Sequence, residues 1–295
     1  LGETLIKGLG VHSDKPNLDD WREMIDLMRK SNPAVEIAVV GKYVDLHDSY
    51  ISVKESLFHD GLMHGCQIDV QWVSAEEIEA LGPEHFLNSV SGIVVPGGFG
   101  PRGVEGMIDT VQYARDKQVP YFGLCLGLQV MVVEIARHVL GYDDANSTEF
   151  APDTTHPVID LMPEQENIVD LGGTMRLGVY PCELVEGSVS AAAYGQRLVY
   201  ERHRHRFEVN NSYLDDFASV GLYSTGRSPD GRLAEIMELG DMPFMVGVQF
   251  HPEFLSRPDR PHPLFREFIG VAKKTLREGG QHVMSLDVEN GAFRV

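Results

Sequence analysis

Cysteine is scarce in this sequence: three in 295 residues, at Cys66, Cys125 and Cys182. An odd number that small excludes a disulfide framework and fits a reducing, cytoplasmic compartment. Positive charge is scarce as well. The 25 Lys and Arg stand against 44 Asp and Glu, a net charge of −19. That balance argues against nucleic acid or an anionic membrane surface as partner and reads first as solubility. Long apolar runs are missing: no stretch reaches the roughly 20 residues that cross a bilayer, and no leader pattern opens the chain. The chain starts at Leu1 rather than Met, as a piece of a longer protein does. Against these absences, 43% of the residues are apolar. That is enough for a real core in one large α/β domain with attached segments.

Residues 1–34 read as a connector. Val11 to Trp21 is polar and turn-rich, a short amphipathic stretch covers Trp21 to Met28, and Pro33 ends it. From Val35 strands and helices alternate. Strand patterns cover 35–41, 67–73, 91–95 and 119–124, and helical periods cover 48–62, 103–117 and 126–139. Strands separated by helices imply βαβ units and a mostly parallel sheet flanked by helices. After Gly141 strand-like runs dominate: 198–200, 219–223, 232–237 and 245–250. A last helix spans about 263–276. The expected domain runs from 35 to 280, and 281–295 is a tail without a convincing period.

Three segments carry chemistry. Gly123-Leu-Cys-Leu-Gly127 is the cysteine form of the G-x-S-x-G nucleophile elbow. A strand feeds directly into a helix, so small residues must flank the turn, and the thiol sits at a helix N-terminus where the dipole favours thiolate. Cys66 and Cys182 read as small buried apolar residues. The second segment is Gln249-Phe-His-Pro-Glu-Phe254. In an extended chain His251 and Glu253 face the same side, so Glu253 can fix one ring nitrogen and leave the other for Cys125. The third, Pro96-Gly-Gly-Phe-Gly100, is a glycine turn after a strand. Its Gly98 N–H, with that of Leu126, is placed to form an oxyanion hole; a plain turn is the bland alternative. A phosphate-loop signature is missing. Arg202-His-Arg-His-Arg206 puts three arginines on one face of a strand and two histidines on the other. No third ligand follows at metal spacing, so no metal is expected. One arginine suits a substrate carboxylate.

These segments, with Asn146-Ser-Thr-Glu-Phe150, Thr174-Met-Arg-Leu-Gly178 and Gly41-Lys-Tyr43, resemble the class I glutamine amidotransferases, and within them the branch that forms CTP. The resemblance spans about 35–265. It implies a flavodoxin-like fold with additional antiparallel strands, and hydrolysis of L-glutamine to glutamate and ammonia. Cys125 would attack, His251 would shuttle protons, Glu253 would orient His251, and Gly98 and Leu126 would hold the oxyanion. Gly98, Phe99, Leu126, Gln129, Glu149 and Arg206 match glutamine-pocket positions, with Glu149 on the substrate ammonium and Arg206 on its carboxylate. In that branch an N-terminal synthetase domain uses ATP and Mg²⁺ to activate UTP for amination, GTP activates, and the enzyme is a homotetramer. The resemblance implies that residues 1–34 are the end of that domain and its linker, that this domain itself needs no cofactor, and that Arg102 and Arg176 belong to segments tied to the GTP response. Two other readings stay open: a γ-glutamyl hydrolase on the same scaffold, and a non-catalytic regulatory domain.

Overall fold

The computed structural model describes residues 2–12, 17–30, 32–161 and 175–275; the tail from 281 and the expected helix end at 276 lie outside them. The chain divides into two units, 1–31 and 32–295. In the first, α1 (Gly2–Leu9) and α2 (Asp19–Met28) are helical. α2 holds the amphipathic stretch expected there. α1 falls in the stretch expected as connector, although Leu5, Ile6 and Leu9 stand at helical spacing.

The second unit carries the parallel strands β1 (Ala34–Gly41), β2 (Gln67–Ser74), β3 (Gly92–Val95) and β4 (Tyr121–Leu124). Between and after them come α3 (Ile51–Met63), α4 (Ala75–Leu81), α5 (Glu84–Leu87), α6 (Val104–Lys117) and α7 (Leu126–His138). Next are β5 (Asn146–Ser147), β6 (Pro157–Leu161), β7 (Arg176–Leu184), α8 (Val189–Tyr194), β8 (Leu198–His205) and β9 (Phe207–Val209). Then follow α9 (Leu214–Ser219), β10 (Leu222–Arg227), β11 (Ala234–Leu239), β12 (Met245–Val248) and α10 (Pro263–Lys274). The main sheet has the order β2-β1-β3-β4-β12-β11-β10-β7-β8, and a smaller one has the order β5-β6-β9. The first five strands of the main sheet are parallel and the rest antiparallel. A mostly parallel sheet with added antiparallel strands is therefore present, flanked by helices. The strand expected at 219–223 starts later, because Leu214–Ser219 closes a helix first.

Parallel strands covered on both faces read as near-continuous apolar runs, and β1 does so: Val35, Ile37, Ala38, Val39 and Val40 are all buried. Its side chains alternate between two cores. Ala38 and Val40 join the cluster with Met107 and Val111 of α6 and Val132 of α7. Val35, Ile37 and Val39 join Leu57 of α3 and Phe268 of α10. The sheet is thus the middle of three layers. Strand order runs from β1 outward in both directions, to β2 and to β3, so the crevice at the carboxyl ends of β1 and β3 is where ligands bind in open α/β sheets. Lys42, Pro96, Cys125 and Gln249 follow those ends of β1, β3, β4 and β12.

One buried group works against this fold. Both carboxyl oxygens of Asp60 in α3 lack a hydrogen-bond partner. Burial pushes the group up to about 8, with Arg266 opposing. The unfolded chain releases this proton near pH 4 and the folded chain only near pH 8, so stability drains away between the two. Asp60→Asn should therefore raise the melting temperature at pH 8 and leave it little changed at pH 3.5, as differential scanning calorimetry would read.

Candidate active site

The turn from β4 into α7 forms because no other residue type fits around it. A Cβ on Gly127 would stand 2.1 Å from the Val95 carbonyl oxygen, and one on Gly123 would stand 2.6 Å from the Gly127 backbone. Cys125 between them has φ 53° and ψ −99°, outside the ordinary regions for a residue with a side chain. Such strain persists only where the surroundings over-determine it, and it clusters at reacting groups. The Cys125 N–H donates to Val248 O at 2.7 Å, tying the elbow to β12. Cys125 opens α7 at its N-terminal end, where main-chain N–H groups lack partners within the helix.

His251 leaves β12 beside this elbow. Its N–H donates to Arg202 O at 2.8 Å, and its ring stacks on Phe254 with centroids 5.3 Å apart. Nδ1 lies 2.7 Å from Glu253 Oε1. The extended link expected between them is instead a 3₁₀ turn, Pro252–Phe254, which brings the carboxylate back under the ring. Nε2 has no hydrogen-bond partner, and Cys125 acts on the ring through charge. Burial opposes a charged imidazole here, but Glu253 and Cys125 outweigh it and push the ring up to about 11. Gly97 sits against both groups: a Cβ there would stand 2.9 Å from His251 Cε1 and 3.6 Å from Cys125 Cβ. Gly97→Ala is expected to lower kcat by about 10²-fold through displacement of the ring. Steady-state kinetics beside a melting curve close to that of the parent would check it.

A cleft of about 370 Å³ opens onto Cys125, His251 and Glu253, and is lined further by Gly97, Gly98, Phe99, Tyr43 and Arg204. That volume suits a small metabolite. The Arg204 guanidinium lies over the Phe99 ring, 5.6 Å from its centroid. Gly98 packs toward Leu126 and Lys42. Gly100 donates its N–H to Glu149 Oε1 at 3.3 Å and accepts from Lys42 Nζ. Burial pulls Lys42 down to about 8 against the pull of Glu149. Burial raises Glu149, opposed by the Gly100 N–H, Lys42 and Arg206. Glu149 and Arg206 are thus electrostatic neighbours, and neither lines the cleft. The structure brings together Cys125, His251, Glu253, Gly98 and Phe99 on the cleft wall. Gln129 is buried off that wall, its Nε2 donating to Phe207 O at 3.1 Å.

The strand alternation expected for β8 holds: Arg202 and Arg204 face out, and His203 and His205 face in. The inward histidines meet Arg176, Glu208 and Glu235. Arg176 Nη1 lies 2.6 Å from Glu235 and 3.5 Å from Glu208, and His203 Nδ1 lies 2.9 Å from His205 Nε2. Arg176 is therefore enclosed, whereas Arg102 is half exposed. Arg102 pairs with Glu76 at 2.5 Å and donates to Lys42 O. Sequence reasoning gave no role to Gly97, Lys42 or Gln249. The signal for Gln249 was available: it stands two residues before His251, on the same period that linked His251 to Glu253.

A cysteine, an imidazole and a carboxylate thus meet at the carboxyl edge of an open α/β sheet. The model of the glutamine amidotransferase class-I family matches residues 45–271, and the chain belongs to that family. Its relatives within that family include CTP synthases. One from Dehalococcoides mccartyi is 55% identical over 286 residues, covering 97% of this chain and 53% of that protein. One from Roseiflexus sp. is 56% identical over 293 residues, covering 99% and 52%. The chain thus spans about half the length of the curated relatives it matches. The solved glutaminase domain of Trypanosoma brucei CTPS, with bound acivicin, aligns with a TM-score of 0.77 and 39% identity over 81% of this chain and 94% of that one. The chain takes its place with the CTP synthase glutaminase domains. Among the described residues no helix is long and apolar enough to cross a membrane.

Proposed function

We propose that this chain hydrolyses the side-chain amide of L-glutamine through Cys125, His251 and Glu253. The observation that carries the reading is a cysteine on a strained strand–helix turn, facing an imidazole whose far nitrogen is held by a carboxylate at 2.7 Å. The sulfur attacks the amide carbon, and the resulting oxyanion meets the Gly98 and Leu126 N–H groups. His251 gives its proton to the leaving nitrogen, the C–N bond breaks, ammonia departs and a glutamyl thioester remains. Water then attacks, His251 takes its proton, the C–S bond breaks and glutamate leaves. Glu149 suits the substrate ammonium and Arg206 its carboxylate; the charge interaction between the two, and the bond from the Gly100 N–H to Glu149, support this assignment. Phe99 closes over the substrate, and Gln129 supports the site from beneath.

In the whole protein the ammonia serves a synthetase half, in the cytoplasm and in a homotetramer, where ATP and Mg²⁺ drive amination of UTP to CTP. Residues of that half, absent from this chain, would hold ATP and Mg²⁺. For GTP as activator, Arg102 fits, being half exposed near the cleft. Arg176 does not fit a direct phosphate contact, because Glu235 and Glu208 enclose it.

Acivicin tests the glutaminase reading. Incubated with this chain it should add mass to the peptide bearing Cys125, L-glutamine should protect, and Cys125→Ala should lose both the labelling and ammonia release. Ammonia release that survives in Cys125→Ala ends the proposal.

A further inference from the structure

Outside the cleft lining two carboxamides follow one another toward the nucleophile: Gln249 contacts it, and Gln129 contacts Gln249. Gln249 has no exposed surface, and its N–H donates to Glu235 O at 2.8 Å. Its Nε2 lies 3.7 Å from Cys125 Sγ, and its Oε1 lies 3.3 Å from Gln129 Nε2. Gln129 Nε2 also lies 3.1 Å from Phe207 O. The two ends of a carboxamide have nearly the same outline, so the partners decide which end points where. A main-chain carbonyl can only accept. Phe207 O therefore requires Gln129 to present its NH₂. That NH₂ requires Gln249 to present its oxygen. Gln249 is left with its own NH₂ toward the sulfur. One backbone carbonyl thereby sets the direction of the whole chain of contacts.

We propose that Gln249 is a further catalytic residue of this site: its Nε2–H hydrogen-bonds the Cys125 sulfur, favours thiolate, and holds it for attack, while Gln129 is the positioning residue that keeps that N–H turned inward. This rests on the reading of Cys125 as nucleophile. A hydrogen bond to the charged form of a group favours that form, and the thiolate is the species that attacks and the species that leaves when water opens the thioester. A carboxamide suits this place because it donates without taking the proton, which leaves proton transfer to His251. The charged and titratable groups that act on the sulfur are His251 after β12 and Glu208 on β9; behind them stand Glu235 on β11, Arg176 on β7, and His203 and His205 on β8. Burial pushes Glu208 up despite Arg176, which suppresses an anion that would compete with the thiolate. Burial likewise takes His205 down to about 3, which keeps the imidazole next to Glu208 neutral. Gln249 is the neutral donor within reach.

Iodoacetamide decides it. This small neutral reagent, displaced at carbon by the thiolate with loss of iodide, needs no glutamine pocket. Labelling of the Cys125 peptide would be followed by mass spectrometry from pH 6 to pH 10 in the parent chain, Gln249→Leu and Gln129→Met. In Gln249→Leu the labelling rate at pH 7 should fall about 5- to 10-fold, and the half-maximal pH should move up by about one unit, as expected for one lost hydrogen bond. Gln129→Met should move both in the same direction by less, because the Gln249 amide becomes free to turn over. In each, kcat for glutamine should fall more than KM rises. Should Gln249→Leu fail to fold, Gln129→Met carries the same test. Folded variants that label along the parent profile overturn the proposal. A parent chain whose Cys125 labels no faster than Cys66 or Cys182 overturns the nucleophile reading itself, and this proposal with it.

Discussion

Replacing His251 by alanine should lower kcat for glutamine by about 10³- to 10⁴-fold or more, with circular dichroism unchanged, by analogy with loss of a nucleophile's base. The reason is geometric: among the described residues His251 is the imidazole on the cleft wall with Cys125, since His203 and His205 point inward and lie off that wall. Glu253→Gln gives the finer result. Glu253 is the strongest influence raising the His251 imidazole against burial. Without it the ring loses its proton at lower pH, so the alkaline limb of the kcat/KM profile should move toward neutrality. The same pair contributes to stability. Because the folded ring titrates near 11 against 6.5 unperturbed, that contribution is complete below about pH 6.5 and is lost as pH climbs toward 11. Melting temperatures of the two proteins should therefore converge at high pH. An alkaline limb that stays in place in Glu253→Gln would show that the carboxylate does not govern the ring.

The second large effect is on folding. Gly127→Ala places a Cβ 2.1 Å from the Val95 carbonyl oxygen, inside any allowed contact, between a core strand and the first turn of α7. Neither backbone can retreat without unpairing β3 from β4. The expected destabilisation is about 3 kcal/mol or more, a fall of roughly 6–12 °C in melting temperature for a domain of this size, or loss of soluble protein. Gly8→Ala, with nothing within 4 Å, should leave the melting temperature unchanged.

Much of this was legible in the sequence, and the reasons differ by element. β1, β3 and β4 declared themselves because strands buried on both faces read as near-continuous apolar runs, broken in β1 only at Glu36. The elbow declared itself because a turn that tight admits glycine alone on both flanks. β8 was legible by period, since outward arginines and inward histidines alternate as a pleated strand requires. What stayed hidden depends on groups that meet only after folding. The 3₁₀ turn that brings Glu253 to His251 has no local signature beyond Pro252. The enclosure of Arg176 by Glu208 and Glu235 joins three strands distant in the chain. The resemblance gave Gln129 as a pocket residue, and only its contacts with Phe207 and Gln249 show it buried off the cleft wall. Lys42 had no role in the sequence reading, and its burial against the Gly98–Gly100 loop depends on contacts made only after folding.

The two-sided character of β8 has a consequence for how this segment tolerates change in length. Its odd and even positions serve incompatible surroundings, water on one side and a packed acid–imidazole layer on the other. Removing or adding a single residue between 198 and 205 would turn the ribbon over, sending guanidinium groups inward where Glu235 and Tyr180 now sit and imidazoles outward. Individual side chains here can be exchanged within their kind, whereas the count of residues cannot vary, so variation in this family member's wall of the cleft has to proceed by substitution and never by insertion.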